Sequence, residues 1–494
     1  MMIGQTKQGP ASRRMGIRMK RRFLLMVTAA ALLLNCLGQA FALQLTNGRI
    51  NPFAENQLTV TSDQPGLLTI RVAGYMNAVT DLPIEAGKTE LTWRALSWGN
   101  EPLTPGLVQL YADLTLADGT VLTAHKQIRV RQARSAVLLC LPEKSTWVIG
   151  GDPFRTELYV STEGNVQMAL VPAAGGDPVW LWGDTVKPGK DSYKATWDWG
   201  RPRAPLVPGD YVLRAWTRVC PDWVVEAPVT LVEAEEEASD ALFLTGPVLP
   251  EDPEDDAAVW AAITAPAVVG EGFEQRKLHL LAEKNVRAEV VGDAYRATVA
   301  LTVLELCDDG WARVGVWNHG GGEFVEGWVR QEELTVVRPN IRYGVVVDKR
   351  AQVLKVYEDG RCIGSAPVST GLQETGEHLL HSETRAGAFL VGTRWLSFAT
   401  EGVTYQYPIR IDGPNLIHQV GWKTRAGIPN GLAVQESMLG AKASHGCVRV
   451  TRTSGEGGIN AFWLWTHLGH NTKVLVLDDP EARHARMDEL GIEY

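Results

Sequence analysis

A repeat in the first half of this 494-residue chain constrains its fold more than any other feature. A pattern of Thr-Trp, then Pro-Leu, then Pro-Gly occurs at residues 92–106 and again at residues 196–209. A period of about a hundred residues indicates a duplicated domain rather than a solenoid repeat. Short segments of alternating apolar and polar residues, separated by turn residues, surround both copies and are typical of antiparallel strands. The repeat therefore predicts two tandem β-sandwiches, at residues 43–134 and 135–232.

Both segments resemble the extracellular Ig-like modules that are appended to many cell-wall proteins. Cys140 and Cys220 lie near the two ends of the second segment and could form a disulfide across its sheets, although two buried thiols would fit equally well. The tryptophans of the two segments suggest either a carbohydrate platform or ordinary packing, and packing is favoured because aromatic side chains dominate cores. The residues concerned are Trp93, Trp98, Trp197, Trp199 and Trp216.

The charge distribution argues against nucleic-acid binding. The chain has a formal charge of −9, and residues 1–42 hold seven basic residues and no acidic one, so the remainder is more acidic than the whole. Proteins that bind nucleic acids need basic surfaces that neutralise phosphates. No basic stripe follows residue 42, and nucleic acid is therefore not expected as a partner.

The N-terminal segment has the organisation of a secretory signal peptide. A basic cluster precedes an apolar run at residues 23–34, and Ala40-Phe41-Ala42 has the small-x-small form of a cleavage site. The run is shorter than the ~20 residues of a membrane-spanning helix, so it would be at most a marginal tether if it stayed uncleaved. We expect residues 1–42 to be a signal peptide, and the mature protein to be exported to the cell wall or cell surface.

Two further segments separate the sandwiches from the C-terminal region. Residues 233–271 begin with runs of acidic residues and prolines, which predicts a flexible linker, with a short helix at 255–263. Residues 272–338 return to strands, and their tight turns carry the pairs Gly310-Trp311 and Gly327-Trp328. This segment resembles a bacterial SH3-like barrel. Such modules often bind wall peptides, and this one could instead pack against the domain that follows.

The chemistry of the chain is concentrated in Ser444-His445-Gly446-Cys447-Val448-Arg449 and in His418 upstream. A cysteine thiol has a pKa near ~8.5, so it needs a base or a cationic neighbour to act as a nucleophile. His418 and His445 can supply that partner. Gly446 allows close approach of a substrate, and the N–H groups near Cys447 could face an oxyanion. Arg449 is placed to hold a substrate carboxylate, and Ser444 to support the turn.

Two other interpretations of the same residues remain open. The cysteine could be an inert core thiol and the histidines structural. His418, His445 and Cys447 could also bind zinc, although His467, His470 and Cys362 do not have the spacing of a fourth ligand.

The hexapeptide, with Ile417-His418 before it, resembles the signature of the bacterial L,D-transpeptidase catalytic domain. The resemblance extends over about residues 341–479: two strands joined by Asp359-Gly360 match its start, and residues 469–477 match its closing strand. We place the catalytic domain at 339–479 and a charged, peripheral tail at 480–494. The predicted fold class is mostly β, with two Ig-like sandwiches, an SH3-like barrel and a β-rich catalytic domain that contains a short helix.

The resemblance implies an activity and roles for the site residues. Cys447 would form a thioester with a peptidoglycan tetrapeptide stem and pass the acyl group to an amine of a second stem. His418 would be the general base and acid, while His445, Gly446 and the Cys447 N–H would form the oxyanion site. Ser444 and Arg449 would contribute to substrate binding. No metal or organic cofactor is implied, and the partners would be stem peptides, with the membrane reached only through an uncleaved signal segment.

The chain departs from the family pattern in three places. Twenty-five residues separate His418 from Ser444, and we interpret residues 419–443 as an inserted loop over the cleft. Gln419 follows the candidate base His418, at a position where the family usually has a small residue. In many members the role of this position belongs to its backbone carbonyl, so the change of side chain is tolerable. The usual Thr-Pro-x-Gly hairpin is Thr384-Arg385-Ala386-Gly387, with arginine in place of proline.

Other functions are compatible with some of these features. Papain-like peptidases also use cysteine and histidine, but usually place the cysteine first, and here the order is reversed. An L,D-carboxypeptidase would hydrolyse the same thioester with water. A non-catalytic wall-binding protein would keep the fold without the chemistry, which the presence of both Cys447 and His418 disfavours.

Overall fold

The computed structural model describes residues 41–45, 48–72, 77–200, 206–233, 241–318, 322–371, 382–422 and 436–491. Most of the described secondary structure is β-strand, as predicted. The chain divides into two compact units. Unit 1 comprises residues 1–51, 55–95 and 104–131, and unit 2 comprises residues 52–54, 96–103 and 132–494.

Unit 1 contains two sheets, one with the strand order β1-β3-β6 and one with the order β2-β8-β7-β4-β5. Alternate side chains of these strands are buried, for example Leu68 and Ile70 in one strand and Leu110 and Ala112 in its neighbour. This alternation is the pattern of sheets that pack on one face. The strands are β1 (Phe41–Leu45), β2 (Arg49–Ile50), β3 (Asn56–Ser62), β4 (Gly66–Val72), β5 (Asn77–Ile84), β6 (Gly87–Trp93), β7 (Gly106–Thr115) and β8 (Val121–Val130).

Unit 2 begins with a second pair of sheets, ordered β14-β11-β9 and β10-β16-β15-β12-β13. Residues of both sheets, such as Leu158 and Leu213, share one apolar cluster, as two facing sheets require. The Ig-like assignment of both sandwiches stays a prediction. The strands are β9 (Val137–Pro142), β10 (Thr146–Val148), β11 (Phe154–Val160), β12 (Gly164–Pro172), β13 (Val179–Val186), β14 (Tyr193–Trp197), β15 (Gly209–Thr217) and β16 (Cys220–Val232).

No disulfide joins Cys140 to Cys220 in the described part of the chain, and both side chains are buried. Cys140 lies in the apolar cluster between the sheets, whereas Cys220 lies in a separate cluster with Phe53. Burial raises the pKa of the Cys140 thiol. The alternative of two buried thiols is therefore correct.

A seven-stranded sheet follows, with the order β19-β18-β22-β21-β20-β17-β23. It lies in the segment for which an SH3-like barrel is predicted, and that assignment stays a prediction. The elements are helix α1 (Asp256–Thr264) and strands β17 (Ala267–Gly270), β18 (Lys277–Leu281), β19 (Val290–Tyr295), β20 (Ala300–Leu306), β21 (Trp311–Trp317), β22 (Phe324–Arg330) and β23 (Leu334–Val337).

The linker predicted at 233–271 is folded over its second half. Helix α1 is the predicted short helix, and Asp255 caps it by accepting a hydrogen bond from the Ala257 N–H at 2.9 Å. Val259 and Ile263 of α1 and Val269 of β17 are fully buried. The acidic, proline-containing composition ends near residue 256, where the sequence becomes apolar and helix α1 and strand β17 follow. Residues 234–240 lie outside the described part.

The last region forms an eight-stranded sheet with the order β27-β33-β24-β25-β26-β32-β31-β30, and β28 pairs with β29. Asp359 and Gly360 join two strands as a two-residue hairpin loop with φ of 48° and 76°, so the predicted turn is confirmed. The strands are β24 (Asn340–Asp348), β25 (Val353–Glu358), β26 (Arg361–Ser369), β27 (Gly387–Leu390), β28 (Ser397–Thr400), β29 (Val403–Gln406), β30 (Ile409–Asp412), β31 (Asn415–Gln419), β32 (Val448–Val450) and β33 (Thr472–Leu477). The helices are α2 (Ala461–His467) and α3 (Pro480–Leu490).

One apolar core runs through most of unit 2. It includes Leu139 and Tyr159 of the second sandwich, Leu280 of the seven-stranded sheet, and Val345 and Trp465 of the last region. The sheet that carries the candidate site is therefore supported by residues from several predicted domains.

Two further observations concern the ends of the chain and the membrane. The predicted tail at 480–494 is helical over α3, and its Arg483 is buried rather than peripheral. Among the described residues, no helix is both long enough and apolar enough to cross a membrane. Residues 1–40 of the predicted signal peptide lie outside the described part.

Candidate active site

Two neighbouring parallel strands bring the candidate nucleophile and base together. β31 pairs with β32 so that Ile417 lies opposite Val448 and His418 opposite Arg449. Cys447 immediately precedes β32, and every residue of β31 is buried. Both strands have a paired neighbour on their other side, β26 next to β32 and β30 next to β31, and this pairing fixes the backbone of the site.

The turn before Cys447 requires glycine at position 446. Gly446 has φ +113°, and a Cβ there would lie 2.4 Å from Oδ1 of Asn415. Ser444 is fully buried, its backbone N–H donates to the Thr370 carbonyl at 2.9 Å, and its hydroxyl bonds to the Cys447 carbonyl. The Gly446 N–H donates to the same hydroxyl at 3.3 Å. These contacts commit Ser444 to holding the turn, whereas a role in substrate binding stays a prediction.

Thr384 is a supporting residue that the sequence analysis did not single out. Its hydroxyl donates to the Gly446 carbonyl at 2.9 Å and accepts from the Gly371 N–H at 2.8 Å. The side chain is buried, so it connects the segment that follows β26 with the catalytic turn in a dry environment. The only signal for it in the sequence was its place in the hairpin motif Thr384-Arg385-Ala386-Gly387.

The His418 ring is held in one orientation and one tautomer. Nδ1 lies 2.7 Å from the Gln419 carbonyl, and a carbonyl only accepts, so Nδ1 carries the proton and Nε2 is left as the acceptor. The rings of Phe398 and Tyr405 stand almost perpendicular to the imidazole, at centroid distances of 5.5 and 4.8 Å. The role predicted for the backbone carbonyl of Gln419 is therefore consistent with the structure.

Burial is the main cause that lowers the pKa of His418 from 6.5 to about 4. The hydrogen bond to the Gln419 carbonyl raises this pKa in part, and the charge of Arg449 lowers it further. With only 2% of its surface exposed, His418 is a neutral imidazole at pH 7 and can accept a proton.

Cys447 is a partly accessible thiol whose pKa is raised, mainly by burial. The Leu416 backbone amide and the charge of Arg449 act in the opposite direction, and Asp412 adds to the increase. The resting pair is therefore a neutral thiol beside a neutral imidazole, and the thiol has to lose its proton during the reaction.

The Cys447 backbone N–H has no hydrogen-bond acceptor among the described residues. It is thus available to an oxyanion, whereas the Gly446 N–H is shared with Ser444. The His445 side chain is exposed, so it borders the site from the solvent side.

Arg449 has capacity to bind a substrate anion. Nη1 donates to the Ala443 carbonyl at 3.0 Å, and the buried Nε has no hydrogen-bond partner. No carboxylate of the described residues pairs with it. A half-buried guanidinium in this state favours a carboxylate ligand.

Part of the predicted inserted loop, residues 423–435, lies outside the described residues, as do residues 372–381. Glu436 directly follows residues 423–435, and its carboxylate accepts a hydrogen bond from the Arg452 backbone N–H at 2.9 Å. In the parts of the chain that the structure describes, no three His, Cys, Asp or Glu side chains are grouped as metal ligands, so the zinc alternative has no ligand set there.

The site combines a thiol, a neutral imidazole on the paired strand, a backbone N–H without an acceptor among the described residues, and the cation of Arg449. These are the groups that acyl transfer through a cysteine requires. Residues 342–476 match the family model of the L,D-transpeptidase catalytic domain (YkuD). This part of the chain therefore matches the L,D-transpeptidase catalytic domain, as the sequence predicted. No curated protein sequence matches the chain.

Several solved structures are similar to parts of the chain. An L,D-transpeptidase from Xylanimonas cellulosilytica is 26% identical over 27% of this chain and 60% of its own, with a TM-score of 0.21. One from Mycobacterium tuberculosis H37Rv is 16% identical over 34% and 66%, with a TM-score of 0.21. One from Mycobacterium smegmatis is 12% identical over 55% and 92%, with a TM-score of 0.22. The chain spans less than two thirds of the length of the first two.

Proposed function

We propose that this protein is an exported L,D-transpeptidase that forms three-to-three cross-links between peptidoglycan stems. The observation that carries the proposal is the Cys447 thiol immediately before β32, with an imidazole on the paired strand β31 whose Nε2 is an acceptor. The match of residues 342–476 to the catalytic domain supports the same activity.

In the first half-reaction, the Cys447 sulfur attacks the carbonyl of the third residue of a tetrapeptide stem. His418 Nε2 takes the thiol proton as the bond forms and passes it to the amine of the departing D-alanine. The Cys447 N–H stabilises the tetrahedral oxyanion, and collapse of this intermediate leaves a thioester. A neutral starting pair suits this step, because no buried ion pair has to be maintained while the enzyme waits for substrate.

In the second half-reaction, the side-chain amine of another stem attacks the thioester carbonyl. His418 accepts a proton from that amine, the C–S bond breaks, and the proton returns to the sulfur as the new amide is released. The Arg449 guanidinium orients a stem carboxylate next to the turn. The partners are thus a donor and an acceptor stem peptide, and His418 serves as base and acid in both steps.

The domains that precede the catalytic domain fit an extracytoplasmic enzyme. The predicted signal peptide supports export, and the tandem sandwiches would hold the catalytic domain at a distance from the membrane or within the wall. For the predicted Ig-like and SH3-like domains, we propose only that their ligands are components of the cell wall.

Product analysis with defined substrates tests the function. The purified chain, incubated with a disaccharide tetrapeptide, should release D-alanine and form a tripeptide-containing cross-linked dimer that chromatography and mass spectrometry identify. Cys447→Ala should form neither product. Cys362→Ala is the matched control and should behave as wild type, because Cys362 is an exposed thiol in β26. Release of D-alanine with tripeptide alone would indicate a carboxypeptidase, and no release would contradict the proposal.

A further inference from the structure

Arg385 occupies the position at which the family pattern has proline, and it is buried. Only 1% of its side chain is exposed, just before β27. Its guanidinium touches two carboxylates: Nη1 and Nη2 donate to the Asp293 carbonyl at 3.1 Å and to Asp293 Oδ1 at 3.3 Å, and Nε lies 3.4 Å from Asp412 Oδ2. A buried cation with two such partners is a fixed feature of the fold rather than a surface charge.

The Asp412 side of this arrangement reaches the catalytic turn. Asp412 ends β30, is buried, and accepts a hydrogen bond from Asn415 Nδ2 at 3.3 Å. Oδ1 of the same Asn415 lies against Gly446, at the point where a Cβ would come within 2.4 Å. The carboxylate is therefore one side chain away from the peptide that precedes the nucleophile. Its charge adds to the effect of burial in raising the pKa of the Cys447 thiol.

The Asp293 side anchors Arg385 to the preceding seven-stranded sheet. Asp293 lies in β19, and Lys277 of β18 holds its other oxygen at 2.9 Å. Tyr295, at the end of β19, packs against Gly413, where a Cβ would lie 2.3 Å from the ring. The β30–β31 turn and Arg385 are thus both seated on β19.

We propose that Arg385 is a positioning residue for Cys447: it neutralises Asp412 behind the catalytic turn and is itself held in place by Asp293 of the preceding sheet. The inference rests on the proposed role of Cys447 as nucleophile. Without the guanidinium, the negative charge of Asp412 would act more strongly on the thiol and would disfavour the thiolate that develops in the reaction.

The described charged and titratable groups around this assembly lie on several strands, and Arg410 of β30 donates to the Gly413 carbonyl beside Asp412. His418 of β31, Arg449 of β32 and Asp412 of β30 face the thiol. Arg385 and Tyr295 face Asp412, and burial raises the pKa of Tyr295. Asp293 and Lys277 complete the set on the far side of Arg385. Among these described groups, Arg385 pairs with Asp412, and the charge of Arg449 lowers the pKa of the Cys447 thiol against the effect of Asp412.

The test is the pH dependence of alkylation of Cys447 by iodoacetamide, measured on the full chain and resolved by mass spectrometry of the Cys447 peptide. The variants are Arg385→Gln, Asp412→Asn and the double variant. Arg296→Met is the matched control, because it removes the cation of the Arg296–Glu333 pair and that pair does not contact the site. Circular dichroism and thermal unfolding establish that each variant is folded.

We expect Arg385→Gln to slow alkylation at pH 7 by about tenfold and to move its midpoint to higher pH. Asp412→Asn should move the midpoint to lower pH. In the Asp412→Asn background, Arg385→Gln should have a much smaller effect, because the charge that it neutralises is gone. Arg296→Met should keep the wild-type profile.

An unchanged midpoint in folded Arg385→Gln, or an equal effect of Arg385→Gln in both backgrounds, would overturn the proposal. If Arg385→Gln does not fold, an unchanged midpoint in Asp412→Asn would overturn it instead. The alkylation needs no peptidoglycan substrate, so its result is independent of the product analysis. Cross-linking could be absent while the effect of Arg385→Gln on alkylation depends on Asp412. Equally, cross-linking could be present while that dependence is absent.

Discussion

At the scale of single residues, the site combines two side chains that the sequence could identify with contacts that it could not. Cys447 and His418 stand out in the sequence because their motif is short and specific. The tautomer of His418 depends on a backbone carbonyl, that of Gln419, and on the aromatic walls of Phe398 and Tyr405. The direction of a backbone carbonyl cannot be read from a residue pattern, so the tautomer of His418 could be assigned only from the three-dimensional structure.

The low pKa of His418 predicts an unusual acid limit for the reaction. His418 has to be neutral to accept the thiol proton, and burial lowers its pKa to about 4. Acylation should therefore persist as the pH falls through 6.5 and be lost only near pH 4. The measurement is kcat/KM for donor turnover from about pH 3.5 to about pH 8, which includes both the ordinary histidine pKa and the lowered pKa of His418. An acid limb centred at pH 6.5 would show that the imidazole is solvated in the active state.

Thr384 should contribute to the rate through the catalytic turn. Thr384→Val keeps the shape of the side chain and removes the donor to the Gly446 carbonyl, which leaves a buried acceptor unpaired at a cost of about 1–3 kcal/mol. If that cost appears in the activation barrier, acylation slows by about fivefold to about 150-fold. Stopped-flow or timed intact-mass measurements of the adduct give the rate. Thr384→Ser keeps the hydroxyl and should remain close to wild type, whereas equal rates for Val and Thr would exclude this role.

At the scale of secondary-structure elements, the sequence predicted those turns and helices whose formation depends on neighbouring residues. The Asp359-Gly360 turn and the capped helix α1 depend on neighbouring residues, and both are present where expected. Helix α3 is different. Its Arg483 appeared to be a surface charge, but it pairs with Glu383, one hundred residues earlier in the chain. A partner at that separation leaves no trace in the local sequence.

Removal of the α3 arginine should destabilise the fold around the catalytic turn. Arg483 Nε and Nη2 bond to Glu383 at 2.9 and 3.0 Å, and Lys349 bonds to the same carboxylate at 2.7 Å. Arg483→Met leaves this buried charge cluster incomplete and should cost about 3–5 kcal/mol. Urea unfolding measures the loss.

Arg486→Met is the control for that experiment. Arg486 lies on the same helix and pairs with Glu489 at 2.7 Å, but both side chains are exposed. The expected cost is at most about 1 kcal/mol. Similar losses for the two variants would mean that the cluster around Glu383 does not stabilise the protein.

At the scale of the whole molecule, the sequence predicted separate modules where unit 2 has a shared core. Repeats and composition describe each segment alone, so they predicted a sandwich at 135–232 and a linker at 233–271 but no contact between the sandwich and the catalytic domain. In the structure, Tyr159 of β11 packs on Trp465 of α2 at a ring distance of 4.8 Å. Its hydroxyl lies 3.2 Å from the Arg394 carbonyl. Such contacts involve residues hundreds of positions apart and follow from the fold alone.

The shared core predicts that damage in the second sandwich reaches the catalytic sheet. Tyr159→Ala removes a buried ring and should cost about 3–5 kcal/mol, the range of large-to-small changes in aromatic cores. Hydrogen exchange should show faster exchange in β24 and β33 as well as in β11. Tyr193→Ala is the control, because Tyr193 packs on Trp182 within the sandwich, and its effect should stay within residues 135–232. Faster exchange confined to that range in Tyr159→Ala would contradict the shared core.

The central claim is that Cys447 carries the acyl group, and peptide mapping of the trapped intermediate tests it most directly. The chain is incubated with a tetrapeptide donor in the absence of acceptor, quenched in acid, digested and analysed by mass spectrometry. We predict a thioester on the peptide that contains Cys447, which is absent in Cys447→Ala and strongly reduced in His418→Ala. An adduct on any other residue, or an adduct that persists in Cys447→Ala, would contradict the account.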